Sequence, residues 1–402
     1  MFRPFRDVLA LPGALAFSLA GLLARMPISM LGLGIVLLVA DATGSYGIAG
    51  AVTAVFTVTQ AVLSPTLARL VDSRGQSRIM VPAVGVHILA LLGLLLSTMY
   101  DWGLPSIFIS AILAGATVGS VGSMVRARWA NVVSSPAQLH AAFSWESVMD
   151  EVVFIIGPVL VTVLATTVYP GAGIVTSLIA VVVGSVFLYS QRASEPAPTR
   201  NSSRGGESVI RSASILIVIV CFVFLGASLG SVDVIIVAFT AEKGVPALAG
   251  FVLALFALGS LLSGVIYGAI QWKIPVGRRF VGTVILMTLG TAAILLVNEI
   301  WSVTLVLFIV GFTIAPTLVG GNTVVQSLAP KGRLTEALAW IGTSLGLGVS
   351  VGSAGVGQVI DKFGAQAGFI VPVAAGGVAA LVVLLGARKL TAGDASSINT
   401  DE

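Results

Sequence analysis

Charge is the scarcest property of this sequence. Of its 402 residues only 9% are Asp, Glu, Lys or Arg, against 57% hydrophobic ones, at a mean hydropathy of +1.06. A water-soluble domain carries about 25% charged residues to wet its surface, so this chain cannot cover a solvated sphere and suits a perimeter that faces lipid. Cysteine is nearly absent too. The lone Cys221 lies in an apolar run and excludes an intramolecular disulfide or a cysteine metal cluster. His87 and His140 stand far apart and form no metal motif. The sequence also lacks a Gly-x-x-x-x-Gly-Lys-Ser/Thr phosphate loop and a His-Glu-x-x-His pair. No cofactor or metal is expected, and a membrane-embedded enzyme is disfavoured. A net charge of +4 and a pI near 9.5 do not imply nucleic acid, because the basic residues recur at the ends of apolar runs and form no single patch.

What the chain does have is apolar runs of spanning length, about 20 residues for a hydrocarbon core of about 30 Å. Polar or turn-rich breaks divide it into twelve, at about 14–39, 47–70, 79–98, 104–126, 139–165, 171–190, 213–239, 246–271, 280–297, 301–324, 334–358 and 367–388. Backbone polar groups find no water in hydrocarbon, so continuous runs such as Ser214 to Phe224 must be helices and not barrel strands. The expected fold class is an all-α polytopic membrane protein. The basic start, with Phe2, Arg3, Phe5 and Arg6, reads as an amphipathic segment at the inner interface before a retained first helix.

Lys and Arg set the orientation. With the N-terminus inside, inner loops and tails hold Arg3, Arg6, Arg69, Arg74, Arg78, Arg126, Arg128, Arg192, Arg200, Arg204, Arg211, Lys273, Arg278, Arg279, Lys331, Arg333, Arg388 and Lys389, and outer loops hold only Lys243 and Lys362. This split of 18 to 2 expects both termini in the cytoplasm and a multi-pass protein of the cytoplasmic membrane. The Pro-, Ser- and Arg-rich stretch from Gln191 to Arg211 reads as a flexible linker. It divides the chain into six-helix bundles at 1–190 and 213–390, with the linker at 191–212 and a cytoplasmic tail at 391–402. An internal repeat supports the division: at one fixed offset Leu139 meets Leu334, Ala142 meets Ala337, Trp145 meets Trp340 and Gly157 meets Gly352. Two parallel six-helix halves with a site between them is a known transporter plan.

Ionisable residues within spans cost at least about 2.5–3.5 kcal/mol each at a helix centre, so each is a candidate for function. Span five carries Glu146, Asp150 and Glu151, the first two on one face. Arg25, the only basic residue this reading buries in a span, is expected at the same depth and in contact with Asp150 or Glu146. Together the four are the candidate proton-coupling site, with a static salt bridge as the alternative. Small polar side chains that suit a solute path are Ser29, Gln60, Thr117, Ser120, Thr313, Thr317, Asn322 and Gln326, although Ser and Thr in membrane helices more often bond their own backbone. Gly-x-x-x-Gly spacings at Gly115/Gly119 and Gly342/Gly346 are read as close helix contacts.

Between spans two and three, Ala68-Arg-Leu-Val-Asp72-Ser-Arg-Gly75-Gln-Ser-Arg78 resembles the Gly-x-x-x-Asp-Arg-x-Gly-Arg-Arg loop of the major facilitator superfamily. Asp72, Gly75 and Arg78 match, whereas Ala68, Ser73, Gln76 and Ser77 depart from it. Gly264, Gly268 and Arg278-Arg279 repeat the motif without its acid, and Gly357 to Asp361 repeat its spacing. The resemblance covers essentially the whole chain. It implies two bundles that rock about a gating loop, in which Asp72 caps the next helix or pairs with an Arg across the halves. It also places spans one, four, seven and ten around the cavity, which makes Asp233 in span seven, with Arg25, a candidate for binding substrate or a proton. Drug–proton antiporters of the superfamily often carry an Arg in span four, and here none precedes Arg126 at its inner end. Gly157-Pro158 in span five lacks the usual upstream glycines. The expected function is proton-coupled export of amphipathic or cationic compounds, with proton-coupled uptake of a sugar or metabolite as the alternative. A receptor without transport is not expected, because the linker and the tail, Thr391 to Glu402, are short and polar and offer no sensing or output domain. The expected partners are a small-molecule substrate, protons and the lipid bilayer, and the resemblance implies a monomer.

Overall fold

The computed structural model describes residues 3–199, 209–245, 248–270, 272–330 and 332–398. Arg200, Arg204 and Lys331 of the charge pattern, the centre of the linker and residues 399–402 lie outside the described residues, as does the side chain of Asp361.

Among the described residues, twelve helices are long and apolar enough to cross a membrane: α1 Ala14–Thr43, α2 Ile48–Arg74, α3 Gln76–Met99, α4 Leu104–Val132, α5 Pro136–Ala165, α6 Ala172–Ser190, α7 Ala213–Glu242, α8 Ala249–Ala269, α9 Val276–Leu296, α10 Ile300–Leu328, α11 Leu334–Ile360 and α12 Ala365–Leu390. Among the described residues there is no strand. The helices form two pseudo-symmetric six-helix bundles. One continuous apolar core runs from Val209 to Leu390 in the second bundle; the first is built on a core around Leu91 and another around Trp129, which reaches across the seam to Tyr267 and Val319. An even number of spans brings both chain ends to one face, here called the terminus face.

Several helices outrun their expected ends. The ends of α2 and α4 carry polar residues that hydropathy assigns to loops, but Asp72, Arg126 and Arg128 are paired inside the protein. Asp72 therefore lies on α2, and Arg126 and Arg128 lie on α4. That corrects the sequence reading twice, because Arg25 is not the only basic residue buried in a span. Arg126 is 8% exposed and Arg128 fully buried. The last helix also continues past Leu390 to Ile398, into the expected tail.

Two spanning helices break near their middles. α1 stops at Arg25 and restarts at Pro27, which has no N–H to continue the ladder. α4 stops at Thr117 and restarts at Val121, with Gly119 at φ +64° between. The carbonyl of Ala114, near the end of the first segment, meets His87 Nδ1 at 2.9 Å.

Close packing uses different glycines from those expected. Gly226 and Gly230 of α7 lie against the backbone of Leu345 and Val349, and Gly348 and Gly352 of α11 lie against Val223 and Ala227, where any Cβ would strike a carbonyl. Gly115 does meet the backbone of Phe56, but Gly119 is a break, and Gly342 and Gly346 have open space before them. The repeat glycine Gly157 packs on Ser29 and Met30 of α1 as Gly352 packs on α7.

Ahead of α1, the helix Arg3–Leu9 buries Phe5 and Val8 and exposes Arg3 and Arg6, the amphipathic division its sequence implies. Phe5 meets Trp145 at 6.3 Å between ring centroids.

Candidate functional site

The break in α1 ends its first segment on Arg25, directed into the first bundle. Arg25 pairs with Glu146 of α5 and donates to Asp150 Oδ1 at 2.7 Å. Glu146 is fully buried and accepts two more hydrogen bonds, from Ser18 at 2.6 Å and Trp129 at 2.7 Å. Arg126, brought in by the restarted half of α4, donates to Asp150 Oδ2 at 2.7 Å. Two guanidiniums thus answer Glu146 and Asp150. The i, i+4 spacing on α5 is what lets Arg25 span both acids.

Glu151 points elsewhere, as its neighbour's position on a helix requires. It accepts a 2.6 Å hydrogen bond from Ser260 of α8, in the other bundle, and among the described residues it has no ion pair. Asp150, Glu151 and Arg126 line a central cavity of about 330 Å³ between the bundles, within the range of small-molecule sites. Gln60, Ser120 and Asn322 also line it, with Phe154, Phe222 and Leu347 among its apolar walls.

The other expected cavity residues lie off it. Ser29 donates to Val153 O at 2.8 Å and joins α1 to α5. Thr117 donates to Leu113 O at 2.7 Å, beside the α4 break. Thr313 and Thr317 bond carbonyls of α10 itself, at 2.6 and 2.7 Å, and are buried, the ordinary fate of membrane hydroxyls. Arg25 is 1% exposed and stands behind Asp150, not in the wall. Asp233 is exposed and outside the lining; hydropathy places it on α7 but does not orient it. Gln326 is outside the lining as well.

The bundles meet on the terminus side of this cavity. Asp72 accepts from the backbone N–H of Thr335 at 3.3 Å and Glu336 at 2.9 Å, at the N-terminus of α11. That helix has no side-chain cap of its own, so a carboxylate from the opposite bundle supplies it and favours its dipole. Of the two roles expected for Asp72, capping is therefore the one observed, but on a helix across the seam and not on the next one. Gly75 makes the turn at φ +98°, and a Cβ there would press on Glu195. Glu195 accepts from Ser77 N at 3.0 Å and Ser77 Oγ at 2.6 Å, while Arg128 donates to Gln76 Oε1 at 2.7 Å and Ser194 Oγ at 2.8 Å. The two departures from the basic motif positions thus hold the start of the linker. Arg78 is exposed. His140 Nε2 lies 2.8 Å from Tyr267 O, and Gly268 packs on Ser144.

Arg126 and Ser260 are the residues that sequence reasoning missed. Arg126 was placed at an inner helix end, and the available signal was its position about two turns beyond Gly119 in an otherwise small-residue segment. Nothing marks Ser260, since any of many membrane serines could have met Glu151.

Two helical bundles around a central cavity, mostly apolar but with Arg126, Asp150 and Glu151 in its wall, with broken helices beside it and the seam contacts of Asp72 at one end, define a secondary transporter. The chain belongs to the Major Facilitator Superfamily, whose sequence pattern matches residues 17–333 and, a second time, 219–399. Among curated proteins, no sequence matches significantly. The fold is similar to that of a bacterial homologue of the iron transporter ferroportin in an outward-facing state, with a TM-score of 0.75 at 16% identity over 94% of this chain and 99% of that one. It is also similar to the human organic anion transporter MFSD10 (TETRAN), with a TM-score of 0.73 at 16% identity over 92% and 98%.

Proposed function

We infer that this transporter couples proton movement to export of amphipathic or cationic organic compounds across the cytoplasmic membrane, and that Glu151 carries the proton. The observation behind this is the imbalance of the buried cluster. Its three carboxylates face two guanidiniums, both engaged by Glu146 and Asp150, and Glu151 stands in the cavity wall with a hydrogen bond across the seam. A proton arriving on Glu151 alters the same contact that joins the halves, which links protonation to rocking. The cavity wall, largely apolar and with one acid in excess, favours a neutral or cationic amphiphile. Both termini are cytoplasmic in this reading, so the contacts at the terminus face close the cavity to the cytoplasm.

An iron cargo, named for one structural relative, gains no support here, since no three His, Cys, Asp or Glu side chains group as ligands among the described residues. Uptake of a hydroxylated sugar or metabolite is the second reading. Gln60 and Asn322, one from each bundle, favour it by offering hydrogen bonds to such a solute.

Proteoliposomes with an internal pH dye test the proposal. In the wild type, an imposed proton gradient drives counter-movement of a lipophilic cation, and flux rises with the gradient. Glu151→Gln should still exchange cation for cation while its net flux no longer responds to the gradient. Unchanged gradient-driven flux in Glu151→Gln would overturn the assignment, and gradient-driven co-movement of a sugar would select the second reading.

A further inference from the structure

Pseudo-symmetry asks what stands opposite Asp72. Asp72, in the last turn of α2 before the α2–α3 turn, caps α11 across the seam; the related turn, α8–α9, faces the start of α5. No acid occurs anywhere between Glu242 and Glu299, whereas Lys273, Arg278 and Arg279 do. At this place the terminus face holds a cavity of about 940 Å³, nearly three times the volume of the central one. Arg3, Lys273 and Arg279 line it against a single acid, Asp7, which already lies 3.8 Å from Arg3 and 3.9 Å from Arg6. Trp272 forms part of the wall, and the guanidinium of Arg279 sits 5.5 Å from its ring centroid. Around these, Pro4, Pro136, Ala137 and Ile270 supply an apolar flank.

We propose that this cleft is a binding site for the phosphate-bearing headgroup of an anionic phospholipid, which bridges the two bundles at the terminus face. Its chemistry is a cationic floor, an aromatic edge and an apolar flank at the ends of spanning helices, where headgroups lie. The cations come from both halves, Arg3 from the first and Lys273 and Arg279 from the second. A bound anion therefore joins on this side what Asp72 joins on the other, and favours the state in which the terminus face is closed. A free phosphate shares the charge but makes no use of the apolar flank, and for that reason the lipid is the ligand assigned. The site is separate from the coupling cluster and does not depend on its role.

Native mass spectrometry of the detergent-purified full chain, titrated with phosphatidylglycerol and phosphatidylcholine, tests this. The wild type should retain one phosphatidylglycerol in preference to phosphatidylcholine. Arg3→Ala and Lys273→Ala, both at exposed positions, should each lower that preference about fivefold, the effect of one basic residue at an anionic surface. Thermal unfolding in phosphatidylcholine alone should be unchanged in both, which shows that they fold. Equal retention of the two lipids by the wild type, or an unaltered preference in both variants, would overturn the proposal. Displacement of phosphatidylglycerol by millimolar inorganic phosphate would transfer the site to a free anion and overturn the lipid assignment.

Discussion

Replacing Arg25 with Met should be the most damaging single change in the first bundle, and Arg126→Met should be much milder. Both guanidiniums bind Asp150, but only Arg25 also neutralises Glu146, whose other partners, Ser18 and Trp129, are uncharged. In Arg126→Met, Asp150 keeps Arg25, and the cost is about that of one hydrogen bond to a charged group, roughly 1.5–3 kcal/mol. In Arg25→Met, Asp150 keeps Arg126, but Glu146, fully buried, is left as an uncompensated charge, a change that costs about 3–5 kcal/mol. Glu146→Gln in the Arg25→Met background removes the stranded charge and preserves acceptors for Ser18 and Trp129, so the double variant should recover at least half of the loss. Thermal unfolding in detergent, followed by tryptophan fluorescence, reads the order: wild type, Arg126→Met, the double variant near it, and Arg25→Met lowest. Equal midpoints for the two arginine variants, or a double variant no better than Arg25→Met, would refute the claim that Glu146 depends on Arg25 alone for its countercharge.

Asp72→Asn keeps an acceptor but loses the charge at the α11 N-terminus, worth about 1–2 kcal/mol, which should raise the population open at the terminus face about five- to thirtyfold. Maleimide labelling of a cysteine placed at Ser144, in the seam against Gly268, measures this, because native Cys221 is buried; an unchanged labelling rate would exclude a role for the Asp72 cap in holding the bundles together. Gly352→Val should lower stability by about 1–3 kcal/mol because its side chain must displace the backbone of Ala227, whereas Gly342→Ala, with open space before it, should not. Equal thermal midpoints for these two variants would contradict the α7–α11 interlock.

Hydropathy and the positions of Lys and Arg are properties of local sequence. They were enough for twelve helices and a two-bundle class, because hydrocarbon forces every spanning segment to satisfy its backbone internally. The juxtaposition of Arg25 with span five was legible for a related reason: a charge at membrane depth needs a partner, and few are available there. The spacing of Glu146, Asp150 and Glu151 on one helix also determined that the first two act together and the third apart.

Only the tertiary structure decided what each polar residue faces. Hydropathy places a residue along the membrane normal but says nothing of its rotation about the helix axis. For that reason Asp233, Thr313 and Thr317 were expected in the cavity and lie off it. Helix ends failed similarly. Arg126 and Asp72 look like loop residues until the partners that hold them, Asp150 and the amides of α11, arrive from elsewhere in the chain. A polar side chain in a membrane protein is stable where a distant segment meets it, and which segment does so is settled by packing, through glycines whose spacing alone did not distinguish a helix contact from a cavity wall.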